Sequence, residues 1–384
     1  MSVRPCVGIV VGVLISIITL LTLRQTMLKE RFHIQSRVYS EADVRSCRRA
    51  CDIAERYESE QVVKHLACTT LRPLNWDEGP LSPKALKITY CKSFSEPHSW
   101  YDGMQKLFLT KIHNDPKLLF TGPVLFRIED NSTILAETGK ALMRAGIPYL
   151  SHTHMISSKA ADCSGQMGEK TCIYQPDFHF IENKGYQKLI RSFQKISTPL
   201  RKRKKMVFWR GASTGISSDC ESLLRTRMCS IAEHVPWLDL KITKHVQCCH
   251  DIQSINASYV SEIKWAQFRG VIDVDGNVNA WGLFWRLASG SVVFRIHSQY
   301  ANYYTSQMIP WVHYIPLSND LSDIKERTRV VTLDGKSSIE LELISANAQR
   351  LVERISYAAE LLRVRNELNL FKDQSSSHFL NLIA

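Results

Sequence analysis

Twice along the chain, an apolar run leads through a polar turn and a helical pattern into a second apolar run. In the first instance residues 124–128 predict a strand, the run 131–133 offers N-cap side chains, 134–145 predict a helix and 147–150 predict the next strand. This order is typical of a parallel α/β unit, in which one helix connects two parallel strands. Asp130 would then lie at the carboxyl end of a strand, where open α/β sheets place their chemistry.

The same order recurs in the second half of the chain. The elements predicted there are strand 206–209, loop 210–215, helix 221–232, strand 271–274, helix 279–288, and strands 291–296 and 311–315. Helical patterns also cover 41–68 and 339–370. A chain of 384 residues suits about two domains. We predict an N-terminal lobe over 38–200, a C-terminal lobe over 201–340 and a helical tail over 341–384.

Residues 6–23 form an uncharged apolar run between Arg4 and Arg24. At about 1.5 Å per helical residue, this run just spans the hydrocarbon core of a bilayer. No small-x-small cleavage site follows it, so an uncleaved signal anchor within residues 1–37 is favoured over a cleaved signal peptide. The basic residues give no clear orientation. A long C-terminal domain translocates largely regardless of them, which predicts a single-pass type II membrane protein.

Cysteine usage indicates an oxidising compartment. Of eleven cysteines, Cys6 lies in the apolar run, which leaves ten for the folded part. An even, generous number in a translocated chain is typical of a disulfide framework. Cys163 and Cys172 flank one short loop and are plausible partners. The adjacent Cys248 and Cys249 are expected to pair with other residues, because a vicinal bridge is strained.

A structural zinc site is the alternative use of these cysteines. No CxxC pair occurs, and Cys47 with Cys51 lacks a convincing second pair, so disulfides are favoured. Asn131-Ser-Thr and Asn256-Ala-Ser are glycosylation sequons that a lumenal chain could use.

A formal net charge of +12 makes the surface attractive to anions. Nucleic acid, anionic lipid headgroups and a nucleotide diphosphate fit this sign equally well. The basic run 201–205 is interpreted as a solvated linker between the lobes, with a nuclear signal or a nucleic-acid patch as the alternatives. No GxGxxG fingerprint or P-loop follows the apolar run, which disfavours a dinucleotide oxidoreductase or a kinase.

The loop 210–215 carries the first chemical motif, Arg210-Gly-Ala-Ser-Thr. A guanidinium at the mouth of a strand–loop–helix unit can bind a diphosphate through two N–H groups. Gly211 allows a close backbone approach, and Ser213 and Thr214 add hydroxyl donors. The alternative is an arginine paired with a surface carboxylate in an ordinary loop.

Residues 273–291 carry the second motif. Its small residues Ser289-Gly-Ser291 open the last strand, where a ligand could approach. Asp273-Val-Asp275 matches a metal-binding DxD pattern, but three residues are a weak signal, and Asp273 is expected inside a buried strand.

A third segment, 310–316, has the sequence Pro-Trp-Val-His-Tyr-Ile-Pro. His313 within it could contact a ligand. A histidine buried in a short strand and satisfied by a hydrogen bond is the commoner case.

Together these segments resemble glycosyltransferase family 90, which includes protein O-glucosyltransferases, capsule xylosyltransferases and lipopolysaccharide-modifying enzymes. The resemblance runs over about 123–323 and is carried by Phe208-Trp-Arg-Gly-Ala-Ser-Thr-Gly215, by 271–296 and by 310–316. It implies a GT-B fold with two Rossmann-like lobes and a donor cleft between them. It also implies inverting transfer from a UDP-sugar, without a metal ion or other cofactor.

The resemblance also implies roles for individual residues. In the family an aspartate that ends a strand of the acceptor lobe is the general base, and Asp130 occupies the matching place, although the usual Asp-x-Pro is absent. Arg210 carries over, and Arg225 matches a second arginine, with Arg227 as the spare. The predicted nucleotide-sugar-binding residues are Arg210, Gly211, Ser213, Thr214, Arg225, Ser289, Gly290 and Ser291.

The sequence therefore predicts a glycosyltransferase of the endoplasmic reticulum or Golgi membrane, with its catalytic domain in the lumen. It would move glucose or xylose from a UDP-sugar to a hydroxyl of a protein or glycan, with no nucleic-acid partner. Relatives have an Arg-Phe pair before the Ser-Gly-Ser turn, where this chain has Trp281-Gly-Leu-Phe284, which leaves the donor sugar open. A catalytically inactive sugar-binding member and a basic scaffold for nucleic acid or acidic lipid are the alternatives.

Overall fold

The computed structural model describes residues 41–72, 86–92, 99–129, 133–164, 170–196, 198–217, 219–247 and 253–381, with side chains up to residue 371. The predicted anchor 6–23 and the predicted base Asp130 lie outside these residues. Within them, no helix combines the length and the apolar character that crossing a membrane requires.

Strands and helices alternate along the described chain. The strands are β1 (Leu66–Leu71), β2 (Thr89–Tyr90), β3 (Gly122–Arg127), β4 (Tyr149–Ser151), β5 (His154–Met155), β6 (Ile173–Tyr174), β7 (Lys204–Ala212), β8 (Leu238–Lys244), β9 (Phe268–Asp273), β10 (Val292–Ile296), β11 (Tyr300–Ala301) and β12 (Ile315–Leu317). The helices are α1 (Glu41–Tyr57), α2 (Glu60–Val63), α3 (Ser99–His113), α4 (Ala136–Arg144), α5 (Phe178–Glu182), α6 (Gln187–Gln194), α7 (Leu224–Ala232), α8 (Glu262–Trp265), α9 (Leu283–Ala288), α10 (Ile324–Thr328), α11 (Lys336–Arg354) and α12 (Tyr357–Asn381).

The strands form two five-stranded sheets. Sheet 1 has the order β2-β1-β3-β4-β6, with β1 antiparallel to both neighbours and β3, β4 and β6 parallel. Sheet 2 has the order β12-β10-β9-β7-β8, and all its neighbouring strands are parallel. A small antiparallel pair, β5 with β11, connects the two regions. The predicted α/β class with parallel strands is confirmed.

The apolar runs of the second half become the buried strands of sheet 2. Every residue of β9 is buried, and Val292, Val293 and Phe294 of β10 are fully buried. A parallel sheet is covered by helices on both faces, so its strands need apolar side chains on both sides. The predicted strand 271–274 corresponds to β9 (Phe268–Asp273), and the predicted strand 291–296 corresponds to β10 (Val292–Ile296).

The helical pattern predicted over 41–68 is wrong at its carboxyl end. α1 ends at Tyr57, α2 is a single turn, and β1 follows. All six residues of β1 are buried, and a strand covered on both faces lacks the alternation that separates it from a buried helix. Disulfides Cys47–Cys68 and Cys51–Cys91 hold α1 against this sheet, so these cysteines are used in bridges and not in a zinc site.

Helix α4 begins later than predicted and is capped from elsewhere in the chain. Its N-cap residue Leu135 makes no side-chain cap bond. The Glu58 Oε1 atom instead accepts hydrogen bonds from the Leu135 amide at 2.7 Å and from the Thr138 hydroxyl at 2.5 Å. Thr133, a predicted capping residue, accepts a bond from the Met155 amide at 2.9 Å.

Residues 311–315 do not form the predicted strand. Trp311 has φ of +66°, and its amide donates to the Tyr314 carbonyl at 2.7 Å, which closes a tight turn before β12. A left-handed backbone at a bulky residue is incompatible with an extended strand. His313 is 8% exposed, and its Nδ1 accepts a bond from the Ile309 amide at 2.9 Å. The satisfied, buried histidine is found, but in a turn.

The predicted tail divides into two helices that serve different sheets. α11 packs on α9 and β10 of sheet 2. α12 returns to sheet 1, where Arg363 donates to the Tyr174 carbonyl at 2.9 Å and Lys170 pairs with Glu367 at 2.6 Å. The chain therefore passes between the two regions at 183–186, after α5, and again at 355–356.

The basic run 201–205 is only partly a linker. Leu200–Lys202 form a turn of 3-10 helix, and Lys204 and Lys205 already belong to β7. The preceding helix α6 packs on α8 and α9, so the first crossing lies before the predicted lobe boundary at residue 200.

The predicted disulfide Cys163–Cys172 is confirmed. Cys220 is also disulfide-bonded, and Cys229 is a buried free thiol. Cys248 and Cys249 lie outside the described residues. The described part of the chain is therefore built for an environment in which disulfides persist.

Candidate functional site

The carboxyl edges of the two sheets face each other. His152 directly follows β4, is fully buried and stacks on Trp281, with 5.5 Å between ring centroids. Trp281 lies between β9 and β10 of sheet 2. The Thr153 hydroxyl donates to the Ala301 carbonyl at 3.0 Å, next to the β5–β11 pair. The edges at which α/β sheets bind ligands thus enclose a common cleft.

One cavity of this cleft, here called the Arg210 cavity, has a volume of about 790 Å³. Its walls come from the crossing segment and α6 on one side and from the ends of β7 and β8 and the start of α9 on the other. The lining side chains that matter most are the cations Arg191, Arg210 and Arg286 and the aromatic residues Tyr186, Trp281 and Trp285. Cations beside aromatic faces suit a ligand that carries phosphate and a planar base.

Arg210 lies near the end of β7 and is held firmly at the cavity wall. Its guanidinium pairs with the Asp239 carboxylate at 2.7 Å and donates to the Asp239 and Trp209 carbonyls. The side chain is 11% exposed and lies over the Phe208 ring, 4.3 Å from the centroid. The alternative interpretation, a carboxylate-paired arginine, is therefore confirmed, and the arginine also lines a cavity. Diphosphate binding by Arg210 stays a prediction. Gly211 lines the cavity too, and a Cβ there would collide with the Trp209 indole.

Ser213, Thr214 and Arg225 lie together but line neither described cavity. The buried Ser213 hydroxyl accepts a bond from the Val246 amide at 3.0 Å, and Thr214 accepts one from Arg225 at 2.7 Å. Arg225 also donates to the backbone carbonyls of Ala212, Val274 and Asp275. Burial lowers the pKa of Arg225 to about 10. These residues join the ends of β7 and β9 and so position the Arg210 loop. The spare Arg227 donates to the Asp320 carbonyl.

Ser289, Gly290 and Ser291 are not brought to the cleft. They precede β10, at the amino edge of sheet 2, and five strand residues at roughly 3.3 Å each separate them from the carboxyl edge. Arg203 donates to the Ser289 carbonyl and the Ser291 hydroxyl, both at 3.2 Å. Gly290 has φ of +73°, which explains the glycine as a turn residue.

Asp273 ends β9 in the middle of the carboxyl edge and is 1% exposed. One carboxylate oxygen lies 2.7 Å from Arg286, and the other lies 3.6 Å from Arg295. Asp275 lies nearby, and burial, opposed by a hydrogen bond from Ser298, raises its pKa to about 6. The DxD carboxylates thus face arginines, and the described residues contain no His, Cys, Asp and Glu group arranged to hold a metal ion.

A second cavity, the Arg295 cavity, lies beyond Asp273 and has a volume of about 720 Å³. Both sheet regions line it, through His154 and Tyr174 on one side and Arg295 and Tyr300 on the other. The Tyr174 hydroxyl and the His154 Nδ1 are 2.5 Å apart, and burial lowers the pKa of His154. This cavity is richer in hydroxyl groups than in large aromatic faces.

Sequence reasoning missed Asp239, Arg286 and Arg295 of the cleft. It considered Asp273 only as part of a metal-binding DxD pattern, and Trp281 only as a departure from the family. An available signal for Arg286 was its spacing, because it follows Gly282 by one helical turn on the same face. The pairing of Arg286 with Asp273 across 13 residues is tertiary and has no local signature.

Comparison with known proteins finds one family and several relatives. The sequence profile "Glycosyl transferase family 90" matches residues 173–354, from β6 through α11. Protein O-glucosyltransferase 2 of Danio rerio is 32% identical over 123 residues, which cover 31% of this chain and 23% of that protein. Protein O-glucosyltransferase 1 of Rattus norvegicus is 27% identical over 138 residues, 35% of this chain and 33% of that protein.

The human protein O-glucosyltransferase 1 is 25% identical over 194 residues, which cover 48% of this chain and 42% of that protein. The matched regions of these three relatives thus span less than half of each relative's length. The profile match over 173–354 includes every residue that lines the Arg210 cavity.

Proposed function

Residues 173–354 belong to glycosyltransferase family 90, and on that premise we propose that the protein transfers a sugar from a nucleotide donor to a hydroxyl group of a protein or glycan. The matched curated relatives are named protein O-glucosyltransferases. The proposed donor is UDP-glucose or UDP-xylose. The proposed architecture is of the GT-B type, with the donor between two lobes.

One observation carries this proposal: Arg210, the arginine singled out by the sequence, lines the cleft between the two sheets. A departing UDP carries two phosphates, and its negative charge grows as the sugar–oxygen bond breaks. Fixed cations and N–H donors stabilise such charge without reorganising, which lowers the barrier. The pairing of Arg210 with Asp239 keeps the guanidinium in place before the donor binds.

Asp130 is proposed as the general base that removes the proton of the acceptor hydroxyl as the new bond forms. It lies outside the described residues, and the assignment rests on the family resemblance. Its described neighbour Thr133 contacts Met155, which adjoins His154 of the Arg295 cavity. We therefore assign the acceptor to the Arg295 cavity and the nucleotide to the Arg210 cavity. The transfer is proposed to be inverting and to need no metal ion.

The proposed location is the lumen of the endoplasmic reticulum or Golgi, with residues 6–23 as a type II membrane anchor. Three disulfides in the described chain support an oxidising compartment. Asn256, in one of the sequons, is exposed and available for glycosylation.

The test is hydrolysis or transfer by the purified protein with a panel of nucleotide sugars. We expect turnover of one UDP-sugar, reduced about 10²–10³-fold by Arg210→Ala, the effect typical of removing one donor that stabilises transition-state charge. Arg201→Ala is the matched control, since it removes the same charge from an exposed position paired with Glu342. Asp130→Asn should abolish transfer and leave UDP binding intact.

Two results would contradict the proposal. Saturable UDP binding without turnover of any donor would indicate a sugar-binding member without activity. Salt-sensitive binding of polyanions that UDP does not displace would indicate a basic scaffold.

A further inference from the structure

Arg286 is a second arginine at the wall of the Arg210 cavity, supplied by helix α9 and not by a strand. Its side chain is 9% exposed, and its one hydrogen-bond partner among the described residues is Asp273, at 2.7 Å. The buried Nε has no partner there. A guanidinium carries five N–H donors, so most of the donor capacity of Arg286 is unused.

The guanidinium of Arg286 is held in one place by its surroundings. Its central carbon lies 5.2 Å from the Trp265 ring and 5.0 Å from the Trp285 ring. Such cation–π contacts orient the planar group and cost none of its N–H donors. A rigid cation with free donors is suited to bind an anion with little loss of side-chain entropy.

Gly282 provides the space that this arrangement needs. A Cβ at position 282 would lie 2.8–2.9 Å from the guanidinium atoms of Arg286. The backbone of Gly282 has φ of −85°, which any residue can adopt. Glycine is therefore required here because a side chain would displace the guanidinium of Arg286, and not because of the backbone conformation.

Arginines outnumber carboxylates in the cluster around Arg286. Three arginines, Arg225, Arg286 and Arg295, surround two carboxylates, Asp273 and Asp275. The charge of Arg286 is one of the causes that lower the pKa of Arg225, after burial. A bound anion would relieve this excess of buried positive charge.

We propose that Arg286, seated over Gly282, is the second cation of the donor site and binds the diphosphate of the nucleotide opposite Arg210. This inference rests on the proposed function and adds a specific residue to it. The two guanidinium groups reach the same cavity from a strand and from a helix, so both phosphates can be contacted at once. Asp273 positions Arg286 and does not touch the ligand.

The test is calorimetric titration of the protein and its variants with UDP and with uridine. Arg286→Met places an uncharged side chain of similar length beside Trp265 and Trp285. We expect it to weaken UDP binding at least tenfold and uridine binding less than threefold, because uridine lacks the diphosphate. Gly282→Ala should weaken UDP binding five- to tenfold, because its Cβ displaces the guanidinium, in titrations made well below the unfolding midpoint of the variant. Arg286→Lys keeps the charge but loses the planar fork, so it should recover part of the UDP affinity.

The outcomes separate this inference from the proposed function. No UDP binding by the unsubstituted protein would overturn both. Normal UDP affinity in Arg286→Met and in Gly282→Ala would overturn the inference alone. If Arg286→Met does not fold, the Gly282→Ala and Arg286→Lys titrations decide, and an equal loss of UDP and uridine affinity in them would also overturn it. Arg201→Ala is the control for net charge and should bind both ligands normally.

Discussion

Sheet 2 contains buried arginines at both of its edges, and they are engaged in different ways. At the amino edge, Arg269 is 1% exposed and donates to three backbone carbonyls and to Asp334. At the carboxyl edge, Arg286 has only Asp273 as a hydrogen-bond partner among the described residues. An arginine whose terminal Nη1 and Nη2 groups donate mainly to backbone carbonyls, as in Arg269, stabilises the fold. An arginine with N–H groups left over beside a cavity can stabilise a bound anion.

The largest effect is expected from Asp273→Asn, which removes the carboxylate shared by Arg286 and Arg295. The free energy of unfolding should fall by about 3–5 kcal/mol, the usual result of leaving a buried charge without its partner. Urea unfolding with and without UDP measures this change. If the free energy of unfolding fell by no more than it does when an exposed ion pair is lost, the positive charge at the carboxyl edge would not depend on Asp273 for compensation.

Arg269→Met tests the amino edge. It leaves three carbonyls without a donor, each at about 1 kcal/mol or more, so the free energy of unfolding should fall by about 3 kcal/mol. UDP affinity, measured by calorimetry well below the unfolding temperature, should not change. A tenfold loss of affinity in the folded variant would remove the distinction between the two edges.

The comparison extends to Asp177, a buried carboxylate that forms no ion pair within the described part of the chain. Asp177 is 1% exposed, caps α5 through the Phe180 amide at 2.8 Å, and burial raises its pKa to about 7. Because the folded pKa lies above the unfolded value, its contribution to stability is complete below about pH 4 and is lost as pH rises through 7.

In the unsubstituted protein, the Asp177 carboxyl group should make the free energy of unfolding fall by at most about 1.4 kcal/mol per pH unit between pH 4 and 7. Asp177→Asn should remove this pH dependence. The asparagine oxygen can still accept the cap bond. Urea unfolding at several pH values gives the slope for both proteins. Parallel slopes would show that Asp177 is ionised in the folded protein.

The smallest effect is expected from Arg201→Ala, near the amino edge. Its side chain is 58% exposed and pairs with Glu342 at 3.2 Å. Exposed pairs of this kind contribute less than about 1 kcal/mol, so thermal unfolding and UDP affinity should both stay nearly unchanged. A large change in either would mean that net charge, and not position, controls the effects above.

The sequence predicted best the features that depend on local patterns. The apolar runs of β9 and β10 identified buried strands, and Arg210 was placed correctly near the end of a strand. The predicted loop 210–215 is wrong at its start, because β7 continues to Ala212. β1 was missed because a strand buried on both faces has no period of two. The cap of α4 was missed because Glu58 lies 77 residues from Leu135 in the chain.

The candidate site was predicted only in part, because local patterns do not show how the strands are arranged in the sheet. Arg210 and Gly211 line the cavity, whereas Arg225 and Thr214 do not line it and hydrogen-bond to each other. Small residues at Ser289–Ser291 looked like an approach for a ligand, but strand direction places them at the amino edge. No local pattern shows which end of a strand faces the cleft until the sheet is assembled.

The two crossings of the chain meet at one place. Lys184, Gly185 and Tyr186 all have positive φ, and a Cβ on Gly185 would lie 3.1 Å from the Tyr357 nitrogen, at the second crossing. The two halves are therefore joined here by two packed chain segments, and elsewhere by the β5–β11 pair. Tyr186 belongs to the first crossing and also to the wall of the Arg210 cavity. A ligand in that cavity would therefore touch the segment that joins the two halves of the molecule.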